Sequence, residues 1–502
     1  MTDYNFLMET RLSPEQFQVV NHLSRVAASQ GLNLFLVGGA VRDLTYGQQI
    51  IRDLDFVVEG KPEKILRPLE ATPRPGVEAA PFHVASEHHD SHFHSVEVVF
   101  SNGVRAEIAQ ARVEHYDRPG KKPTVEPATI FEDLRRRDFS VNAMAISLHP
   151  NSRGLLLDPT NGAADIERRE LRAMHSRSFS EDPTRIYRLI RLGLRLDFKP
   201  EARTETWFNN ALEHRAWERL DAEQQGRELR AILREENPGR VLKVLSERGL
   251  LGGLDRKLAS ARLPYDHFAK VRSVVDSLPG ADAFFLNFQT LVSKLASAQK
   301  ARLAQKIIRD RPGVKTALGM ESAAKKLARA VASPKASLPS QVFTLLDGQP
   351  QYLLLFLLAN YPQAKLQNRV KSFLFKFPGV RAKLPRAELL TLGLEAGQKF
   401  EKIFHQLFLD ELDGKIKTHP QLLKEFRALA GIKEPEPKPA KPHAQKREAV
   451  EESREPKSAK GKPAKAAPPV KPTQPKTAKA ASRKSGKKKR SMPFAGPGRQ
   501  KR

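Results

Sequence analysis

Two short motifs near the N-terminus combine a glycine pair with two closely spaced carboxylates. The run LVGGAVRD at residues 36–43 places Gly38 and Gly39 between an apolar stretch and a segment that reads as a helix. Asp53 and Asp55 follow within a short distance, in the run RDLDFVV, which is typical of a strand. Because residues i and i+2 of a strand point to the same face, the two carboxylates converge on one spot.

The chemistry that fits this combination is phosphoryl transfer. Paired carboxylates can hold Mg²⁺, which prefers oxygen ligands and completes its shell with substrate phosphates. Backbone N–H groups at a helix start bind phosphate, and glycines let the phosphate come close. A glycine pair alone is usually only a turn, and Asp-x-Asp is common on solvated strands. The prediction therefore depends on the two features occurring together.

A third motif, EDLRRRDFSVNAM at residues 132–144, carries three consecutive arginines. Such a run is ordinarily a solvated face. Here it leads directly into an apolar stretch, Asn142 to Leu148, that reads as a buried strand. We therefore expect Arg137 and Asp138 to lie at the edge of a sheet and not in open solvent.

The fourth motif, EDPTRIYRLIR at residues 181–191, reads as the start of a helix, with Asp182 as its cap and Pro183 in its first turn. Its arginines, at positions i, i+3, i+6 and i+10 from Arg185, predict a basic stripe opposite the buried face. Cytosine and adenine both present an amino donor beside a ring-nitrogen acceptor. A carboxylate and a guanidinium one helical turn apart can pair with that pattern and leave uracil and guanine unpaired.

Together these motifs resemble the nucleotidyltransferase superfamily, in the branch of class II tRNA nucleotidyltransferases (CCA-adding enzymes) and bacterial poly(A) polymerases. The resemblance covers about residues 30–430 and is strong over 34–195. Two positions depart from the family pattern: Ser140 stands where threonine is usual, and Gln224 stands where an arginine is expected. The segment 114–123 is similar to the flexible loop of enzymes that add adenosine.

The resemblance implies roles for eleven residues and a Mg²⁺ cofactor. Catalysis and metal binding fall to Asp53 and Asp55, with Glu107 as a third acidic residue. The nucleotide-binding residues implied are Gly38, Gly39, Arg42, Arg137, Asp138, Asp182, Arg185 and Arg188. Among these, Arg137 and Asp138 correspond to the family's phosphate and ribose contacts, and Asp182 and Arg185 to its base-selecting pair, with Arg188 in support.

The fold class expected is α+β, with a nucleotidyltransferase-type palm sheet at the N-terminus followed by an all-α neck, body and tail. We expect a catalytic head at 1–150, a neck with the nucleotide-selecting helices at 151–220 and a helical RNA-binding body at 221–434. The turn at 158–165 is expected to cap a helix through Asp165. The histidines at 88–94 are predicted to lie on a polar loop and not in a metal site.

Composition points to a polyanionic partner. The 502 residues carry a net charge of +29, and from residue 435 onward 21 Lys and Arg outnumber five Asp and Glu. That leaves +13 on residues 1–434. Residues 435–502 hold 12 of the 36 prolines and almost no large apolar residues, which predicts a disordered basic tail. We expect this tail to contact RNA phosphates non-specifically.

The sequence also indicates the cellular compartment in which the protein is expected to work. The sequence has no cysteine, which excludes disulfides and cysteine-based chemistry and suits a reducing cytoplasm. The first residues show no basic region followed by an apolar one, so no signal peptide is predicted. The longest apolar run, residues 352–360, is far shorter than the ~20 residues that a membrane span needs. A cytoplasmic location follows as the expectation.

The function expected is template-independent addition of C and/or A to the 3′ end of tRNA from CTP and ATP. Three alternatives remain open. The chain could add only the terminal A, or it could be a poly(A) polymerase, although that group's basic RRFRL-like strand is missing after Asp55. It could also be a non-catalytic RNA-binding relative, against which the intact Asp53, Asp55, Arg137 and Asp182 argue. The motifs are shared by all these enzymes, so they do not say which nucleotide is added.

Overall fold

The computed structural model of the protein describes residues 2–48, 50–70, 82–278 and 280–432. A seven-stranded mixed sheet forms its N-terminal part, in the order β3-β4-β5-β2-β1-β8-β9. The strands in chain order are β1 Leu34–Val37, β2 Leu54–Val58, β3 Val84–Asp90, β4 Ser95–Phe100, β5 Arg105–Gln110, β6 Arg112–His115, β7 Thr124–Pro127, β8 Ala145–Ser147, β9 Leu156–Leu157, β10 Glu170–Leu171 and β11 Lys199–Pro200. Within the main sheet only β2 and β5 run parallel.

Helices follow the sheet from residue 162 onward and also cover it. Those of the sheet region are α1 Tyr4–Arg11, α2 Pro14–Ser29, α3 Gly39–Tyr46, α4 Glu63–Glu70 and α5 Ile130–Arg135. Those that follow are α6 Gly162–Arg168, α7 Ser178–Glu181, α8 Thr184–Leu196, α9 Ala202–Glu213, α10 Ala222–Leu233, α11 Pro238–Glu247, α12 Leu251–Leu254, α13 Arg256–Ser260, α14 Tyr265–Asp276, α15 Phe284–Val292, α16 Ser297–Ile307, α17 Arg311–Ala332, α18 Pro339–Leu346, α19 Gln351–Asn360, α20 Ala364–Lys371, α21 Phe377–Lys383, α22 Arg386–Leu390, α23 Gln398–Leu412 and α24 His419–Ala430. The expected α+β class is confirmed.

Strand alternation gives the sheet two different faces. One face packs its apolar side chains, including Leu36, Phe56 and Ile108, into the main hydrophobic core. The other face has only a small apolar patch, in which Val37 and Val57 pack against α5. Because side chains alternate along a strand, Asp55 shares the face of Val57, beside this patch. The second face is therefore the one that can display polar groups to a cleft.

The helix start signals in the sequence act as expected at α2. Ser13 accepts from the backbone of Gln16, and the Gln16 side chain accepts from the backbone of Ser13, which completes a capping box. The cap of α6 differs from the expectation. Asp158 accepts from the N–H groups of Gly162 and Ala163 at 2.7 and 3.0 Å, and Asp165 lies inside the helix, fully buried.

Two segments expected to be loops contain strands. His88 and His89 belong to β3, an edge strand that pairs with β4, so the polar-loop prediction is wrong at these two positions. The connection at 111–131 forms the antiparallel hairpin β6–β7. β6 and β7 are short and mostly polar, so their sequences show no alternation of apolar and polar residues that would predict a strand. The strand expected from Asn142 shortens to β8, because Ser140–Asn142 forms a 3₁₀ turn.

The described chain divides into two compact units, one built from residues up to Pro385 together with His405–Lys417, and one from Arg386–Phe404 together with the residues from Thr418 to Ile432. The second unit contains its own aromatic contact, between Phe400 and Phe426. The apolar run expected to form a core helix is α19, whose residues from Leu353 to Ala359 are buried. The basic tail at 435–502 lies outside the described residues.

In the described ranges, no single helix has the length and apolar character that crossing a membrane requires. The helices α18 and α19 meet that requirement only as a pair, and they bend by 117° at their junction.

Candidate active site

The carboxylates predicted to act together lie on adjacent strands of the open sheet face. Asp55 on β2 is directly opposite Glu107 on β5, and Glu107 is opposite Glu97 on β4. Neighbouring strands are about 4.8 Å apart, so these three side chains form a row. Asp53 lies two residues before Asp55, just outside β2, and its Oδ1 is 3.3 Å from Nε of Arg105 on β5. The expected convergence of Asp53, Asp55 and Glu107 is thus present.

Crowding of like charges affects Asp55 most. Burial raises the pKa of the Asp55 carboxyl to about 7, and the negative charges of Glu107 and Asp53 add to that rise. The positive charges of Arg137 and Arg42 oppose it. Burial and the neighbouring carboxylates thus both disfavour the ionised form of Asp55.

The glycine turn lies directly beside this row. β1 ends at Val37 and α3 begins at Gly39, which leaves Gly38 with φ +67° and ψ −129° between them. A Cβ on Gly38 would lie 3.2 Å from Nη1 of Arg137 and 3.3 Å from Oδ2 of Asp55. The absence of a side chain at this position thus lets a guanidinium and a carboxylate approach the same turn.

Arg42, on the first turns of α3, is buried below the glycine pair. Its Nε donates to Oδ1 of Asp43 at 2.8 Å, and its Nη1 donates to Oδ1 of Asn142 at 2.6 Å. These bonds fix the guanidinium close to Gly39, where a Cβ would lie 3.6 Å from Nη2. A fixed positive charge at the start of a helix is well placed to meet a phosphate.

The arginine stripe of α8, predicted to lie opposite the buried face, is itself enclosed. Arg185 is 4% exposed and Arg191 is 8% exposed. They face a cleft that the sheet and α10 enclose. A helix whose polar side is enclosed by other elements cannot be recognised from its own periodicity, because the sequence does not show what lies opposite.

Asp182 is the first of the two predicted base-selecting residues. Its Oδ1 accepts from the backbone N–H and the hydroxyl of Thr184, the first residue of α8, at 3.0 and 2.6 Å. The cap position itself is Pro183, one residue later than expected. Its Oδ2 is 3.8 Å from Nε of Arg185. The side chain is 21% exposed, so Oδ2 remains accessible to a further donor.

Arg185 is held more tightly than Asp182. Its Nη1 donates to Oγ of Ser178 at 2.7 Å, and its Nη2 donates to the backbone carbonyl of Arg136 at 3.1 Å. Asp182 and Arg185 therefore lie side by side, with Arg185 fixed in place and Asp182 open on one oxygen.

Asp138 and Arg188 form a direct pair. Nη1 of Arg188 donates to Oδ2 of Asp138 at 2.9 Å, while Oδ1 accepts from the backbone of Phe139 and the side chain of Asn142. Burial alone would raise the pKa of Asp138, but the charge and hydrogen bond of Arg188 outweigh that effect and lower it. This pair connects the arginine-rich motif to α8.

Two buried glutamates that the sequence analysis missed support the arginines of α8. Glu228 in α10 lies 3.3 Å from Nη2 of Arg191, and Glu235 just beyond α10 accepts from Arg191 and Arg195 at 3.0 and 3.2 Å. Their spacing of seven residues, two helical turns, was a signal that could have revealed a shared face. Gln224, where an arginine was expected, instead completes the capping box of α10.

All eleven predicted site residues line a single cavity of about 590 Å³. At one end are the glycine turn and the carboxylate row, and at the other are Asp182 and Arg185. Tyr116, Arg191, Arg195 and Arg227 also line the cavity and were not predicted as site residues. The paired carboxylates, the glycine turn and the adjacent Asp182 and Arg185 therefore all line one cavity.

Comparison with known proteins supports the resemblance seen in the motifs. Residues 34–172 match the model of the poly A polymerase head domain. The chain is 38% identical over 248 residues to the CC-adding tRNA nucleotidyltransferase of Deinococcus radiodurans, which covers 49% of this chain and 62% of the relative. It is 27% identical over 424 residues to the A-adding tRNA nucleotidyltransferase of Geobacter sulfurreducens, which covers 82% of this chain and 47% of the relative.

Residues 34–172 thus match a head domain of the poly(A) polymerase type, and the chain is similar to class II tRNA nucleotidyltransferases. The resemblance seen in the motifs is thereby confirmed, and the matched head domain contains the glycine turn, the carboxylates and the RRRDF motif. The chain spans less than two thirds of the length of either of these two relatives. A solved structure of the CCA-adding enzyme of Thermotoga maritima complexed with tRNA is 25% identical, with a TM-score of 0.43, and covers 85% of this chain and 98% of its own.

Enzymes of the nucleotidyltransferase type depend on divalent metal ions, and the residues of this chain fit such an ion. Asp55 in β2 and Asp53 just before it offer oxygen ligands to the same cavity, and Glu107 lies opposite Asp55. In the described part of the chain, no three His, Asp or Glu side chains form a metal cluster by themselves. A two-carboxylate site leaves coordination positions for phosphate oxygens and water.

Substituting Gly38 with Ala tests the close approach at the family's glycine turn. We expect incorporation of nucleotide to fall by about tenfold or more, because the new methyl group meets Arg137 and Asp55 and displaces them by a few tenths of an ångström. Activity with labelled CTP and ATP and the melting temperature measure the effect.

Gly31→Ala is the matched control. Gly31 has a similar φ of +64° but has no atom within 4 Å of the added Cβ, so it carries the backbone strain without the contact. Equal losses of activity in the two variants would show that backbone strain alone matters and that the approach to Arg137 does not.

Proposed function

We propose that this chain is a template-independent tRNA nucleotidyltransferase. It would transfer CMP, AMP or both from CTP or ATP to the 3′ hydroxyl of tRNA and release pyrophosphate. The observation that carries the proposal is the single cavity that joins Asp53, Asp55 and the Gly38 turn to Asp182 and Arg185. The names of the relatives, CC-adding and A-adding tRNA nucleotidyltransferases, support the substrate class.

The triphosphate is proposed to lie at the glycine turn. The backbone N–H groups of α3 and the guanidinium groups of Arg42 and Arg137 converge there and provide positive charge where the phosphates would be negative. Asp53 and Asp55 are proposed to hold Mg²⁺. Bound there, the ion supplies charge neutralisation at the phosphates and favours ionisation of the attacking hydroxyl.

In the reaction, the 3′ oxygen of tRNA forms a bond with the α-phosphorus, and the bond from that phosphorus to the oxygen of the β-phosphate breaks. The hydroxyl releases its proton to water, and pyrophosphate leaves with the electron pair of the broken bond. The protein's part is to hold the two reactants in line and to surround the developing charge with fixed guanidinium groups. Arg188 contributes by fixing Asp138 in the wall of the same cavity.

Selection of the base is proposed to depend on Asp182 and Arg185. Oδ2 of Asp182 can accept from the amino group of cytosine or adenine, while the Arg185 guanidinium donates to the adjacent ring nitrogen. Uracil and guanine present the reverse pattern and would leave polar groups unpaired, at a cost of about 1–3 kcal/mol for each group. No nucleic-acid template is needed for this choice.

An incorporation assay with defined tRNA ends tests the proposal. The full chain with Mg²⁺ is given tRNA lacking CCA, tRNA ending in C, tRNA ending in CC and complete tRNA, each with one labelled nucleotide. We expect incorporation of CTP, ATP or both at the ends that lack the corresponding residue, and little with UTP or GTP.

The pattern of products distinguishes the alternatives. Addition of A only to tRNA ending in CC would indicate an A-adding enzyme, and long A tracts on any RNA would indicate a poly(A) polymerase. Binding of tRNA without incorporation of any nucleotide would contradict the enzymatic proposal and favour a non-catalytic RNA-binding relative.

A further inference from the structure

A buried carboxylate outside the predicted set, Asp133, organises the arginine-rich motif. Asp133 lies in the last turn of α5, and its side chain is fully buried. Oδ1 accepts from Nε of Arg136 at 3.1 Å and Oδ2 from Nη2 of Arg137 at 2.9 Å. Burial would raise the pKa of Asp133, but the charges of Arg137 and Arg136 outweigh it and lower the pKa. One carboxylate thus serves two consecutive guanidinium groups.

The bonds to Arg137 determine where that side chain points. Asp133 accepts from both Nε and Nη2 of Arg137, at 3.1 and 2.9 Å, and so occupies one edge of the guanidinium. Nη1, on the other edge, is directed at the Gly38 turn, 3.2 Å from where a Cβ would be, and beside Oδ2 of Asp55. A guanidinium is planar and rigid, so fixing one edge fixes the direction of the other.

The bonds to Arg136 lead to the opposite end of the cavity. Nη1 of Arg136 donates to Oε1 of Glu114 at 2.7 Å, and Oε2 of Glu114 accepts from the hydroxyl of Tyr116 at 3.0 Å. Burial raises the pKa of Tyr116, and the charges of Glu114 and Asp182 add to that rise. Tyr116, Asp182 and Arg185 line the same cavity. The carbonyl of Arg136 accepts from Arg185.

We propose that Asp133 is a positioning residue that sets both ends of the nucleotide site at once. Through Arg137 it positions the positive charge at the triphosphate end. Through Arg136 it positions the carbonyl and the Glu114–Tyr116 pair against Arg185 and Asp182 at the base end. This inference rests on the proposed function, and it predicts that one substitution far from the base changes base discrimination.

Asp133→Asn tests the inference. The amide keeps one acceptor oxygen but turns an NH₂ group toward a guanidinium, which breaks one of the two bidentate contacts. In the full chain we expect kcat/KM for CTP or ATP to fall by about tenfold or more, as for loss of an outer support of an active-site group. We also expect the preference for CTP or ATP over UTP to fall by about tenfold.

Asp165→Asn is the matched control. Asp165 is also fully buried and also pairs with two arginines, but its partners, Arg168 and Arg172, do not line the cavity as Arg136 and Arg137 do. Both variants lose a buried ion pair, so both are expected to have lower melting temperatures. Only Asp133→Asn is expected to lose discrimination between bases.

The outcomes separate the inference from the proposed function. A wild-type chain that incorporates no nucleotide would contradict the function itself. An active wild type with discrimination unchanged in Asp133→Asn, or with equal loss of discrimination in Asp165→Asn, would overturn the positioning role alone. If Asp133→Asn does not fold, Arg136→Lys replaces it. Lysine cannot span both Asp133 and Glu114, and unchanged discrimination in that variant would also overturn the inference.

Discussion

Asp55→Asn is expected to reduce nucleotide incorporation by about 100-fold or more, with the fold intact. Loss of one carboxylate of a two-carboxylate metal site removes several kcal/mol of charge stabilisation, and each 1.36 kcal/mol is a factor of ten in rate. The fold should not suffer, because Asp55 is crowded by Glu107 and Asp53 and removal of one negative charge relieves that repulsion. Incorporation of labelled nucleotide in Mg²⁺ and the melting temperature measure the two effects.

Glu87→Gln is the control for Asp55→Asn. Glu87 is a carboxylate on the same sheet, on edge strand β3, and does not line the cavity. The Glu87→Gln variant is expected to keep wild-type activity. If Asp55→Asn retained more than about a tenth of the wild-type rate, the metal-binding and catalytic assignment of Asp55 would be wrong.

Asp182→Asn is expected to shift the choice of base toward uracil. The amide oxygen of asparagine can still accept from Thr184 at the start of α8, so the helix should remain in place. The NH₂ group replaces Oδ2, which turns an acceptor into a donor at the position proposed to meet the base. We expect the ratio of kcat/KM for CTP over UTP to fall by about tenfold to 100-fold.

Single-turnover incorporation of each of the four nucleotides measures this ratio. Arg177→Gln is the control, because Arg177 pairs with the neighbouring Glu181 on the exposed side of the same segment. Equal loss of rate for all four nucleotides in Asp182→Asn would mean that Asp182 only stabilises the start of the helix and does not select the base.

The motifs predicted which side chains meet, and the reasons are local. A strand that ends at a glycine pair and a second strand with carboxylates at i and i+2 need only the alternation of β structure to bring Gly38 and Asp55 together. The hydrogen bond between Asp182 and the first residue of α8, Thr184, is equally local. These signals are contained within about ten residues, where backbone preferences determine the geometry.

What the sequence did not predict depends on partners distant in the chain. The sequence did not show that the arginines of α8 are enclosed, because Glu228 and Glu235, which pair with them, are about 40 residues away. β3 and the β6–β7 hairpin carry too few apolar residues to show alternation. β3 forms by pairing with β4 of the main sheet, and β6 and β7 pair with each other. The role of Asp133 also could not be predicted from the sequence, because it is apparent only when the positions of Arg137 and Gly38 are known.

The way two glutamates serve several arginines has a consequence for how this site can change. Glu235 contacts Arg191 and Arg195 and lies 3.7 Å from Arg52, which directly precedes Asp53. Loss of Glu235 would leave three guanidinium groups without their shared partner, whereas loss of one arginine would strengthen the hold on the others. Substitutions here are therefore expected to be strongly non-additive. Divergence of this wall in related chains should proceed by paired replacements that keep the local charge constant.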